Sequence, residues 1–166
     1  MQIQKILVGL LLTLVAALPL AAQNNPKKVA VWETKCSDGS LSYMQRHMIH
    51  TSMVNAVVNI AGYAVCDRSA FDTIMKEHNF QRSGAASGAD IIKMGQMVAA
   101  QYIIVPEAMV DANEIYISVR MLDVETGFVA GMQSTLCASA PDEIQKASAK
   151  LVASLLDRAV EESDTP

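Results

Sequence analysis

His47 and His50 are the pair whose type and spacing come nearest to a metal site. Two imidazoles three residues apart on a helix can meet one ion. No third or fourth ligand is evident in the sequence around them, so the plainer reading is two polar residues on a solvated helix face. No metal or cofactor is assigned. His78 shares a helical face with Phe71 and Met75 and reads as a partly buried histidine. The Ser83 to Asp90 segment is glycine-rich and precedes a helix, as phosphate cradles do. It lacks the Gly-Lys-Ser/Thr ending, and its glycines miss the dinucleotide spacing, so it reads as a flexible linker. Cys36, Cys66 and Cys137 fit no zinc or thioredoxin-type spacing. In an oxidising compartment an odd count allows one disulfide and one free thiol. Cys36 and Cys66 fall near the C-terminal ends of the first two strands, so a bridge between them is open geometrically; the alternative is three small buried thiols. Met44, Met48 and Met53 lie on one long helix, where core packing explains them better than a copper site. Gly-x-Ser-x-Gly, His-Glu-x-x-His and Cys-x-x-Cys are all absent. The expectation is a protein that is not an enzyme, with a dispersed catalytic site as the competing reading.

The elements that must position these residues follow from periodicity. Val29–Glu33 reads as a strand, Leu41–Ala61 as the longest helix, and Tyr63–Cys66 as a second strand. Ile49, Met53, Ala56, Val57 and Ile60 form the long helix's core stripe. Asp67 and Arg68 end the second strand. Ser69, paired with Asp72 three residues on, opens the next helix in a near capping box. Asp90 caps a helix over Ile91–Ala99. Strands follow at Tyr102–Val110, Ile115–Val124 and Phe128–Cys137, and Ala140-Pro141-Asp142 starts the last helix. Pro106 points to a bulge or an edge position. In the fourth strand Ile115, Ile117, Val119 and Met121 alternate with Tyr116, Ser118, Arg120 and Leu122. The fold class is α/β: a mixed five-stranded sheet, with a parallel strand-helix-strand unit, then an antiparallel meander, and helices packed on it.

Residues 1–22 read as a signal peptide. Lys5 is its only charge, Ile6 to Leu18 its apolar region, and Pro19-Leu20-Ala21-Ala22 precedes cleavage before Gln23. No cysteine stands at its end to carry a lipid. Residues 23–28 are a linker, 29–160 one domain and 161–166 an acidic tail. The chain of 166 residues has a formal net charge of −4, with neither sign clustered. That excludes a basic nucleic-acid surface. The expected location is the periplasm, with association to the outer membrane allowed.

Four stretches resemble one envelope family. They are Lys28-Val29-Ala30-Val31-Trp32; Val65-Cys66-Asp67-Arg68 with its helix; Met94-Gly95-Gln96 through to Val105; and Val119-Arg120-Met121-Leu122-Asp123-Val124-Glu125-Thr126-Gly127. In order and spacing they look like the family of the curli-secretion channel subunit CsgG and the penicillin-binding-protein activator LpoB. The TolB N-terminal domain is a more distant relative in fold. The motifs are structural. Gly95 allows close helix–strand packing, and Asp123, Thr126 and Gly127 build a tight turn. The resemblance implies a non-catalytic module that binds an envelope protein through a sheet edge or a helix face. Its alternative is an oligomeric subunit of a curli-type secretion apparatus, and a homo-oligomer is open on either reading. Every strand belongs to the core domain, so none is left over for a membrane-spanning hairpin. With no lipid site and only a short arm, the expectation moves toward a soluble accessory.

Overall fold

The computed structural model describes residues 25–77 and 87–163. The signal-peptide segment, His78 and the first half of the Ser83 to Asp90 loop lie outside them. One mixed sheet runs in the order β2-β1-β3-β4-β5. β1 (Lys27–Val31) lies between β2 (Tyr63–Val65) and β3 (Tyr102–Asp111) and is parallel to both. Helix α1 (Tyr43–Val58) links β1 to β2, while α2 (Arg68–Glu77) and α3 (Gly88–Met97) lie between β2 and β3. Parallel neighbours need such crossovers, whereas antiparallel ones need only a tight turn. β4 (Glu114–Asp123) and β5 (Val129–Ala138) complete an antiparallel meander, and α4 (Pro141–Ser163) follows. This is the architecture read from the sequence.

The helix starts differ from the sequence reading, each through a side chain that satisfies orphan amides. Ser42 caps α1 in a full box with Gln45, so the helix begins at Tyr43 and Leu41 is freed to enter the core. At α2 the cap is Asp67, not Ser69: the Ser69 N–H donates to Asp67 Oδ1 at 2.9 Å and its hydroxyl to Oδ2 at 2.7 Å. Both bonds hold the Asp67 carboxyl below its usual range. At α3 the cap is Ser87, with Asp90 as its partner three residues on. α4 continues past the expected end of the domain, to Ser163.

Pro106 is neither at an edge nor in a bulge: it sits in the central strand, opposite Val119 in an unbroken register. Trp32 N–H donates to Ile104 O at 2.8 Å, and a parallel ladder would next draw an N–H from residue 106. Proline has none to give, and β1 ends at Val31. Among the described residues a bulge lies in β5, where Ala130 is extra between the pairs Met121–Gly131 and Leu122–Val129.

The two sheet faces are covered unequally. On the first, Ile104, Ala108, Ile115, Ile117, Val119 and Met121 pack beneath Ile49, Met53 and Val57 of α1 and Ile144, Leu151, Val152, Leu155 and Leu156 of α4. Each of the Val, Leu, Ile and Met side chains among them contributes about 1.5–3 kcal/mol on burial. On the second, Ala30, Trp32, Ile103, Val105, Leu122 and Val124 pack with Ile91 and Met94 of α3. That cover does not reach the distal half of the meander.

Candidate functional site

Gly95 and the Asp123 to Gly127 turn meet at one end of the second face, while Asp67, Arg68 and Ser69 stand apart at the end of β2. A Cβ on Gly95 would lie 2.5 Å from Ile103 Cδ1 and 2.8 Å from Val124 Cγ2, so only glycine lets α3 sit this close to β3 and β4. Val124 leads into the β4–β5 turn. There Thr126 donates its N–H (2.7 Å) and its hydroxyl (2.9 Å) to Asp123 Oδ1, and Gly127 takes a φ of 76°. These residues close the sheet against α3.

His47 and His50 lie in the N-terminal half of α1, over the C-terminal end of β1. They line a pocket of about 200 Å³ with Glu33, Thr34, Tyr43 and Arg46. The two imidazoles face different partners. His47 stacks on Tyr43 at 6.0 Å between ring centroids, and His50 Nε2 lies 3.3 Å from Val31 O. Among the described residues no group of three or more His, Cys, Asp or Glu side chains is placed to hold a metal ion.

The Cys36–Cys66 bridge considered from the sequence is not made. All three cysteines are free thiols. Cys36 packs against the core on the α1–α4 face and Cys66 against the core on the α3 face, so the sheet stands between them. Cys36 Sγ donates to Asp38 Oδ1 at 3.0 Å, and Ser40 donates to the same oxygen through its hydroxyl (2.7 Å) and its N–H (3.0 Å). These bonds lower the Asp38 carboxyl to about 2. Burial pushes the Cys66 and Cys137 thiols up.

The largest unexplained feature is the open half of the second face. Cross-strand register places Met109, Tyr116 and Leu136 in one row, Glu107, Ser118 and Ser134 in the next, and Val105, Arg120 and Met132 in a third. Met109 is 50% exposed, Tyr116 39%, Met132 62% and Leu136 53%. Arg120 Nη2 donates to Glu107 Oε1 at 3.0 Å across two of the rows. Arg120 Nε is out of contact with water and makes no hydrogen bond. The exposure has a topological cause. The β3–β4 and β4–β5 connections are tight turns, so neither carries a helix back over this face. The Tyr116, Ser118, Arg120 alternation is legible in the sequence, but the exposure of that face is not. The available signal was β5, whose sequence puts apolar residues on both faces where a solvated face should be polar.

Clustered apolar side chains around a central ion pair are the anatomy of a protein-binding patch. The patch carries hydroxyls and one ion pair. Among the described residues, no helix is long and apolar enough to cross a membrane.

No family model and no curated protein matches the sequence. Solved structures do match. The LpoB C-terminal domain from Escherichia coli superposes with a TM-score of 0.59 at 13% identity, over 76% of this chain and 93% of that one. The LpoB C-terminal domain from Salmonella enterica gives 0.57 at 15%, over 68% and 83%. Lipoprotein GNA1162 from Neisseria meningitidis gives 0.54 at 15%, over 84% and 100%. The chain has an LpoB-like fold. At these identities the likeness to LpoB is one of architecture: the mixed sheet and the helices packed on it.

Proposed function

We propose that this protein is a non-catalytic accessory of the cell envelope, exported and acting by binding another envelope protein. A peptidoglycan synthase of the penicillin-binding type is the first candidate partner. Two lines support the reading: the order of the sequence motifs together with the LpoB-like fold, and a sheet face with four apolar side chains left exposed in register. The second carries the assignment of the surface. Met109, Tyr116, Met132 and Leu136 are the anchors, and the Arg120–Glu107 pair sits among them. An exposed pair of this kind adds only about 0–1 kcal/mol to the fold but orients a partner.

The experiment is affinity capture from the periplasm with the wild-type chain and a Tyr116→Ser, Leu136→Ser double variant, followed by titration against the purified partner. The expected outcome is one envelope protein recovered by the wild type and bound at least tenfold more weakly by the variant. Equal recovery by both, or recovery of none, contradicts the reading. A broad hydrolase and redox screen on the purified chain is expected to be silent.

A further inference from the structure

Among the described residues the outer edge of β5 has no neighbouring strand, and its features fit one occupant. The Ser139 N–H donates inward to Asn113 O at 2.9 Å, so strand alternation turns the backbone groups of Cys137, Thr135 and Gln133 toward β4. Those of Met132, Ser134, Leu136 and Ala138 therefore point outward, along a strand that ends the sheet. At that edge the Thr135 hydroxyl donates to Leu136 O at 3.5 Å, the limit of a hydrogen bond.

Solvent-exposed edges are ordinarily blunted by charge, proline or shortness. β5 has ten residues and contains neither proline nor any charged side chain, and its single bulge lies near its start. An uncharged edge can approach its own image without like-charge contact.

We propose that β5 pairs antiparallel with β5 of a second copy, about a two-fold axis at Ser134, to form a continuous ten-stranded sheet. Outward-facing groups must meet outward-facing groups, which restricts the register to even-numbered residues opposite even-numbered ones. The register centred on Ser134 sets Met132 opposite the copy's Leu136 on the open face. On the other face it sets Gln133 opposite the copy's Thr135. Each contact then occurs twice, as an isologous interface requires. The pairing joins the two open faces into one platform and leaves Met109 and Tyr116 free. It stands apart from the proposed function: a dimer forms whether or not the face binds another protein.

The test is sedimentation equilibrium of the purified chain over a concentration series, with circular dichroism as the check on folding. The wild type is expected to form a dimer that dissociates in the micromolar range. Ser134→Pro removes an outward N–H at the axis and is expected to weaken association at least tenfold. Two further variants test the register should that proline disturb the fold. Gln133→Lys with Thr135→Lys puts like charges opposite each other and is expected to give monomer. Gln133→Glu with Thr135→Lys puts opposite charges there and is expected to keep the dimer. A wild type that stays monomeric at high concentration, forms a larger ring, or shows equal association in both charge variants overturns the proposal.

Discussion

The two halves of the α3-side sheet face are built from the same strands and differ in what lies over them. In the proximal half, Ile103, Leu122 and Val124 are sealed by Ile91 and Met94, and Gly95 brings the helix within contact. In the distal half, Met109, Tyr116, Met132 and Leu136 continue the same rows uncovered. The difference lies in connection length: where the chain crosses over through helices the face is closed, and where it turns tightly the face stays open. Apolar residues in the closed half contribute to stability. Those in the open half are available for association.

Substitution separates the halves. Met94→Ala empties a fully buried site and is expected to cost about 2–5 kcal/mol, whereas Met132→Ala should stay within about 0.5 kcal/mol. Urea-denaturation midpoints read both, and equal losses would break the comparison. Gly95→Ala comes next, at about 1–3 kcal/mol, because its methyl would overlap Ile103 and Val124; an unchanged midpoint would show that α3 can lift away freely. Asp67→Ala is expected to cost about 1 kcal/mol through loss of the α2 cap, again read from the denaturation midpoint, and Ser69→Ala should cost less.

The smallest effect is in pH. The Asp38 carboxyl is lowered from 3.8 to about 2 by its Cys36 and Ser40 donors. A lowered folded-state value means the ionised form is favoured by folding. That contribution is complete above 3.8 and is lost as pH falls toward 2. An NMR titration should place the Asp38 midpoint near 2, and Ser40→Ala should raise it toward 3.8. A midpoint already at 3.8 in the wild type would remove the loop network.

Much of the fold was legible because hydrophobic period and turn chemistry agree. The Ile115 to Leu122 alternation gave β4 its two faces, and Asp123-Val124-Glu125-Thr126-Gly127 gave the turn. Helix starts were less legible because several residues at each boundary can cap. Asp67 and Ser69 both suit α2, and the geometry of two bonds to one carboxylate decided between them. Pro106 misled because the edge rule concerns a missing donor, and here the donor is missing on the side where β1 has already ended. Cys36 and Cys66 looked bridgeable because both follow strands; which sheet face a loop cysteine enters is a tertiary fact. The open face was unread for a similar reason. Its residues are ordinary strand residues, and what makes them a surface is that no helix among the described residues lies above them.

Methionine methyl resonances offer the most direct test of that surface. Met109 and Met132 lie on the open half, Met94 is buried on α3 against the sheet, and Met44 is exposed on α1. On adding the captured envelope partner, the Met109 and Met132 methyls should shift or broaden while Met44 and Met94 stay in place. Movement of Met44 with Met109 and Met132 unchanged would put the partner on the helical side and contradict the account.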